Sequence, residues 1–413
     1  MRQSVLYLLV LLSGSAALSW EIVWQLLASL SIGVSAVGTA VTLAATMGGM
    51  SLGAMVMAHI LERRKTQRPI LLYGICELVI GAAGLGVQPG FALVESCDRI
   101  LYAAVPTLAP GLHLLLILAV LVIPTMAMGA TIPILGLVAR RFQVSLATVY
   151  ATNTAGAALG CLGIAFILVP AVGITSTIHL VASINIIVFL ATLLVSRRLA
   201  TAAPITVSET TTHALDLSPQ TALMIAGLTG FATFALEVAW FRSLRSAFQA
   251  TTDTFAIILA AVLIALAIGG RLATIARRKR WSIALPLAIS GILMIAVTPG
   301  IERFDLLETE NDYWLTMAKW GAITILTVGP PITLLGMALP WLLDGATSPR
   351  AWGRLYAINT LGAIIGSLSA AWLFLPFFGF ARTSWLIGTV VAVVGITQLR
   401  QRVRWTVIAA TIL

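Results

Sequence analysis

Three carboxylates lie inside long apolar segments, and they are the residues with the clearest capacity for chemistry. Glu21 and Glu237 occupy matching places in two similar stretches of sequence, and Glu77 lies near the middle of a third apolar segment. A charged carboxylate at the centre of a membrane costs about 3 kcal/mol on insertion scales, so it normally faces a partner or an aqueous cavity. These positions predict either polar contacts between helices or sites for a proton or a cation.

A tryptophan follows each repeated glutamate after three residues, Trp24 after Glu21 and Trp240 after Glu237. This spacing places the carboxylate and the indole on one face of a helix. A carboxylate beside an aromatic face suits an organic ammonium, through charge pairing and cation–π attraction. The structural alternative is that each glutamate bonds a neighbouring helix and holds its repeat together.

A second duplicated pattern contains Asn153 and Asn359, in the stretches YATNTAGAALG (150–160) and YAINTLGAIIG (356–366). The Gly-x-x-x-Gly spacing permits close helix approach, and an asparagine can bond across such a contact. We favour helix packing, and the alternative is that the two asparagines line a central cavity. The candidate ligand-binding residues are therefore Glu21, Trp24, Glu237, Trp240, Glu77, Asn153 and Asn359.

The remaining polar residues predict no catalytic residue, no metal site and no cofactor. The four histidines stand apart from one another, and the three cysteines show neither a zinc spacing nor a disulfide framework. For Glu77, a hydrogen bond to a facing helix is the structural alternative to a proton or substrate site.

The elements that must position these residues are membrane helices. Of the 413 residues, 59% are hydrophobic and 10% are charged, and the mean hydropathy is +1.02, whereas soluble domains are about 25% charged. The apolar runs lack the strict alternation of barrel strands. The sequence therefore predicts an all-α integral membrane protein with about twelve transmembrane helices, in contact with membrane lipids.

Basic clusters follow every second predicted helix, which is the pattern of loops on the cytoplasmic side. We therefore expect a multi-pass protein of the cell inner (plasma) membrane with both termini cytoplasmic. The net charge of +10 comes from these clusters, so nucleic-acid binding is not expected. The main clusters are at Arg63–Arg64, Arg140–Arg141, Arg197–Arg198, Arg277–Arg280, Arg350 and Arg400–Arg404.

The two halves of the chain resemble each other. GSAALSWEIVW (14–24) aligns with GFATFALEVAW (230–240), and MGATIPILG (128–136) aligns with LGMALPWLL (335–343). An even number of helices in each copy makes the repeats parallel, as in major facilitator proteins. The predicted organisation is a first six-helix repeat (1–198), a cytoplasmic linker (199–220), a second six-helix repeat (221–404) and a short tail (405–413).

These motifs also carry a family resemblance. SGSAALSWEIVW, MGATIP and the pair YATNTAGAALG and YAINTLGAIIGSL resemble the membrane region of the spermidine synthase-like membrane proteins, which are fused major facilitator/spermidine synthase proteins. Many such proteins carry a soluble aminopropyltransferase domain, which needs a Gly-rich nucleotide turn after a strand. We expect no such domain in this chain, so the resemblance does not imply enzyme activity here.

The favoured function is that of a transporter-like membrane protein with a central site between its two halves. The two glutamate–tryptophan pairs and the resemblance suggest a polyamine or another small organic cation as the substrate. The alternative is a non-transporting membrane scaffold or anchor subunit, bound to a membrane or soluble protein partner in a larger complex.

Overall fold

Long helices form nearly all of the chain that the computed structural model describes, which comprises residues 3–32, 36–64, 66–200, 217–248, 252–303 and 312–412. In the first half these are α1 (Gln3–Ile32), α2 (Ala36–Arg63), α3 (Pro69–Ala104), α4 (Ala109–Arg141), α5 (Leu146–Gly163) and α6 (Val169–Ala200). In the second half they are α7 (Pro219–Phe248), α8 (Thr252–Arg278), α9 (Ala284–Ile301), α10 (Tyr313–Thr327), α11 (Gly329–Leu335), α12 (Ala338–Gly345), α13 (Pro349–Ser369) and α14 (Leu375–Ile412).

Two glycines divide apolar stretches that are too long for one crossing. Leu146–Arg198 covers 53 residues and Pro349–Leu399 covers 51, whereas one crossing needs about 20. Gly173 (φ 75°) and Gly379 (φ 72°) adopt left-handed backbone conformations inside these stretches, which glycine tolerates because it has no Cβ. Each stretch is therefore two crossings joined by a sharp turn.

Helices α10 to α12 form one broken crossing, bent by 48° between α10 and the helices that follow. Pro330 and Pro331 stand at the start of α11 and cannot donate the backbone hydrogen bonds that would continue α10. With this crossing and α2 included, the described helices agree with the prediction of about twelve.

Close seams between helices confirm the internal parallel repeat. In the first half, Gly156 on α5 lies against the backbone of Leu11 on α1. In the second half, Gly362 on α13 lies in the same way against the backbone of Gly227 on α7. Gly14 likewise faces Asn153 as Gly230 faces Asn359. The small residues are needed because these backbones approach too closely to leave room for a side chain.

The two halves meet along two pairs of helices, α2 with α13 and α5 with α8. Within each half, α3 packs on α6 and α9 packs on α14. We call the side of the bundle that carries Arg63, Arg141, Arg278 and Arg350 the basic face, which is the side predicted to be cytoplasmic. This arrangement leaves α1 and α7 to bring their glutamates towards the contact between the halves.

The first long loop predicted opposite the basic face is largely helical. The break between the apolar runs that end near residue 88 and begin near residue 112 predicts a loop at about 89–111, but α3 continues to Ala104 and α4 begins at Ala109. Val87, Phe91 and Val94 are buried along one side of α3, and this apolar stripe continues the helix past Pro89. Residues 201–216 of the predicted linker, and residues 304–311 within a second loop that the sequence predicts at about 299–316, lie outside the described residues, and α14 includes most of the predicted tail.

The glycine seams predict a position-specific effect on stability. A Cβ at Gly156 or Gly362 meets backbone atoms of the neighbouring helix, so Gly156→Ala and Gly362→Ala should each destabilise the protein by about 1–3 kcal/mol. Gly163→Ala is the matched control, because nothing lies near its Cβ position, and it should be neutral or stabilising by up to about 1 kcal/mol. Melting temperatures of the purified variants test this, and equal melting of all three variants contradicts the seam.

The predicted membrane orientation can be tested with the chain's own cysteines. Cys97 is partly exposed at the end of α3 opposite the basic face, while Cys76 and Cys161 are buried. A membrane-impermeant maleimide should therefore label intact cells at Cys97 and lose that label in Cys97→Ser. Adding Lys279→Cys at the exposed basic end of α8 should restore labelling only after the cells are permeabilised. Labelling of Lys279→Cys in intact cells contradicts cytoplasmic termini.

Candidate functional site

The glutamates of the repeat lie close to each other across the contact between the halves. Glu21 on α1 and Glu237 on α7 are both half-buried, and their carboxyl groups are near enough to interact electrostatically. Both carboxyl groups also act on the thiol of Cys161 on α5, which donates to the carbonyl oxygen of Ala256 on α8 at 3.5 Å. The structure thus brings together two of the candidate ligand residues, one from each half.

Two tyrosines border the same space. Tyr356 on α13 interacts electrostatically with both Glu21 and Tyr150 on α5, and both tyrosines are half-buried. The hydroxyl group of Tyr356 contacts the sulfur of Met50 on α2 at 3.6 Å. Sequence reasoning placed these tyrosines on a packing face, and their equivalent positions in the two repeats were the available signal. Together with the glutamates they form what we call the central cluster, Glu21, Glu237, Tyr150 and Tyr356.

The tryptophans of the predicted cation site are packed inside the protein. Trp24 is fully buried and stacks on Trp20, with ring centroids 6.0 Å apart and an interplanar angle of 20°. Trp240 is 1% exposed. The indole nitrogens of Trp24 and Trp240 are buried without a hydrogen-bond partner among the described residues. The cation–π role proposed for these rings stays a prediction.

The repeated asparagines lie beside the glycine seams, and their side chains differ in bonding. Asn359 donates through Nδ2 to the carbonyl oxygen of Ala226 on α7 at 2.9 Å, which is the packing role favoured from the sequence. Asn153 is half-buried and its side chain makes no hydrogen bond to the described residues. The two positions are therefore equivalent in the backbone repeat but not in their side-chain contacts.

Glu77 belongs to a separate polar network inside the first half. It is 1% exposed and accepts a hydrogen bond from Ser13 Oγ at 2.6 Å through Oε1 and from Asn185 Nδ2 at 2.8 Å through Oε2. Trp20 Nε1 donates to Asn185 Oδ1 at 2.8 Å. The structure therefore confirms that a hydrogen bond joins Glu77 to facing helices, here α1 and α6.

Direct contacts join the halves at the basic face. Thr148 on α5 hydrogen-bonds to Thr274 on α8 at 2.9 Å and accepts from Arg271 at 3.1 Å. Asp344, at the end of α12, accepts from the backbone N–H of Ala147 at 3.4 Å. A carboxylate at the start of α5 is favoured by the helix dipole. These contacts hold α5 against α8 and α12 at the basic face.

The guanidinium of Arg140 adds an aromatic contact between the halves at the basic face. It lies over the ring of Trp352 on α13, 4.8 Å from the ring centroid. The indole nitrogen of Trp352 donates to the carbonyl oxygens of Leu343 and Ala346. The ring is thereby fixed between the last residues of α12 and the basic end of α4, so one side chain links the two halves.

Comparisons with known proteins show the fold. No protein-family model and no curated protein matches the chain. A bacterial homologue of the iron transporter ferroportin, in its outward-facing state with soaked iron, matches with a TM-score of 0.61 at 16% identity, over 96% of this chain and 99% of that one. Its inward-facing state matches with 0.58 at 14% identity, over 95% and 97%. The major facilitator transporter FucP in the outward conformation matches with 0.53 at 13% identity, over 97% and 99%.

This chain has the major facilitator fold. The predicted fold class is confirmed along nearly the whole length of the chain. Identities of 13–16% carry the architecture and no more, so the chemistry of the site must be argued from this protein's own residues.

The Glu77 network predicts that Asn185 matters more for stability than an asparagine without partners. Asn185→Ala removes the donor to Oε2 of Glu77 and the acceptor of Trp20 Nε1, and it leaves these two atoms buried without a partner. Such a loss costs about 2–4 kcal/mol. Asn153→Ala is the matched control and should cost much less, since its side chain makes no hydrogen bond to the described residues. Thermal unfolding of the two variants measures the difference, and equal losses contradict the network.

Proposed function

We propose that the protein is a transporter whose substrate is a small organic cation, bound between the halves by Glu21 and Glu237. The observation that carries this proposal is the proximity of two carboxyl groups from opposite halves. Two like charges in a poorly hydrated site repel each other, so such a pair favours the uptake of a positive charge. A ligand cation that bridges them would hold the two halves together from the inside.

The chemistry of the cluster supports an amine as the substrate class. Carboxylates accept hydrogen bonds from ammonium groups, and the tyrosine hydroxyls can accept further N–H donors. The resemblance to the spermidine synthase-like membrane proteins also points to polyamines. A linear polyamine carries several ammonium groups, so it can place one near each carboxylate, whereas a compact monovalent cation pairs with only one.

The position of the site suits alternating access. Glu21 is carried by α1 and Glu237 by α7, so a rigid rocking of one half against the other changes their separation directly. The contacts of Thr148, Thr274 and Asp344 join the halves at the basic face, and release on that side would require that they break. Substrate binding and the opening of the basic face are thereby linked to the same movement.

The carboxylates should be required for binding but not for folding. Glu21→Gln and Glu237→Gln keep the shape of the side chains and remove the charge, so each should weaken the binding of labelled spermidine about tenfold or more. Glu302→Gln, at the exposed end of α9, is the matched control and should bind as the wild type does. Equilibrium binding to purified protein and uptake into proteoliposomes are the measurements.

A second cation tests the substrate class separately from the transport function. Tetraethylammonium carries a charge but has no N–H donor, so a site built for amines should bind it more weakly than spermidine. Wild-type binding of spermidine by the Glu21→Gln/Glu237→Gln double variant would refute the cation site. An absence of uptake and binding, together with a stoichiometric copurifying protein, would instead favour the scaffold alternative.

A further inference from the structure

The polar network around Glu77 lies apart from the central cluster and has no part in the proposed substrate site. It joins α1, α3 and α6 within the first half. Its members Tyr73, Trp20, Glu77 and Asn185 are each 0–1% exposed, and Ser13 is 6% exposed. A polar network buried this deeply must satisfy its own hydrogen bonds, because neither water nor lipid can do so.

The indole of Trp20 determines how the amide of Asn185 is oriented. An indole nitrogen only donates, so the Asn185 atom it contacts at 2.8 Å must be the oxygen. The amide NH₂ group must then be the atom that faces Glu77. Since an NH₂ group only donates, Oε2 of Glu77 is an acceptor, and any proton on the carboxyl group resides on Oε1.

The contact at Oε1 can serve both protonation states. Ser13 Oγ lies 2.6 Å away, a distance typical of a hydroxyl that donates to a carboxylate. A hydroxyl can also rotate and accept, so a neutral Glu77 can donate from Oε1 to Ser13. The hydroxyl group of Tyr73 lies beside Glu77 and Ser13 and is buried without a well-oriented hydrogen bond to the described residues.

Among the described residues, no lysine or arginine is placed to neutralise Glu77. The membrane parts of α1, α3, α4, α5 and α6 contain no lysine or arginine, and the basic residues flanking them stand at Arg68, Arg99, Arg140 and Arg197. The ionisable groups that face Glu77 are those of Tyr73 and Cys76, on its own helix. An ionised carboxyl group without a countercharge is costly at this depth, so it favours the uptake of a cation.

We infer that Glu77, Ser13, Asn185 and Tyr73 form a proton-binding site in the first half of the protein. The carboxylate takes up one proton at Oε1, and the O–H bond formed there donates to Ser13 Oγ. On release, that bond breaks, the electron pair stays on the carboxylate and the proton passes to bulk water. Tyr73, one helical turn nearer the basic face on α3, provides the adjacent hydroxyl on that side.

The donor pattern favours a proton over a metal ion. A sodium or calcium ion needs oxygen lone pairs directed at one point. Here the nearest groups instead direct hydrogens at the carboxylate, namely the Ser13 hydroxyl and the Asn185 amide. Turning the amide to present its oxygen would leave the Trp20 indole without its acceptor.

Helix α1 connects this proton site to the central cluster. Ser13 and Trp20 are both on α1, and Trp20 directly precedes Glu21. Protonation of Glu77 replaces charge-assisted hydrogen bonds to Ser13 and Asn185 with weaker neutral ones, which loosens α1 against α3 and α6. Coupling of this proton to substrate movement rests on the proposed transport function, whereas proton binding by itself does not.

Infrared difference spectroscopy of the purified full-length protein tests proton binding without substrate. Between alkaline and acidic buffers, the Glu21→Gln/Glu237→Gln variant, which lacks the carboxyl groups of the central cluster, should gain a carboxyl C=O band from buried, protonated Glu77. Adding Glu77→Gln to this variant should abolish that band and lower the proton uptake by about one proton per chain. Glu95→Gln changes an exposed carboxyl group on the same helix and should retain the band.

Two further measurements test the proton site, one with a Ser13 variant and one with metal ions. Ser13→Ala removes a donor to the carboxylate and should shift the midpoint of the band to higher pH, even if Glu77→Gln fails to fold. Sodium, potassium or calcium chloride at fixed pH should leave the band unchanged. The inference is overturned if a folded Glu77→Gln keeps the band, if Ser13→Ala leaves the midpoint in place, or if a metal ion displaces the proton.

Discussion

The cost of an unpaired polar group in a medium without water is the constraint on which this structure depends. The backbone pairs its own polar groups by forming helices along nearly all of the described chain. The buried carboxyl groups avoid this cost in two ways. Glu77 is enclosed by donors from α1 and α6, whereas Glu21 and Glu237 remain half-buried at the contact between the halves. This difference in enclosure underlies the proposals of a proton at Glu77 and of a larger cation at the half-buried pair.

Close packing between helices couples their movements within the bundle. Hydrophobic burial does little to join helices in lipid, so close van der Waals contact and interhelical hydrogen bonds must do so. The seams at Gly156 and Gly362 bring α5 against α1 and α13 against α7 at equivalent places. Because α5 and α13 also contact the opposite half, a displacement of α1 or α7 reaches the contact between the halves through rigid helices.

The two repeats share a backbone plan but carry different polar side chains. Asn359 bonds to the backbone of α7, while Asn153 makes no side-chain hydrogen bond to the described residues. Among the described residues, the Glu77 network has no acidic counterpart at the equivalent place in the second half. Under the proposals above, the duplicated framework would carry a cation site between the halves and a proton site in the first half.

The sequence by itself determined the membrane class and the parallel repeat, because helix period, apolar length and charge distribution are local properties. The break between the apolar runs that end near residue 88 and begin near residue 112 predicts a loop, yet the stripe of Val87, Phe91 and Val94 continues α3. Only the tertiary structure brought Asn185 to Glu77, 108 positions away, and Glu237 to Glu21. The spacing of residues along an apolar helix does not specify which helix it will contact, since that contact depends on how all the helices pack together.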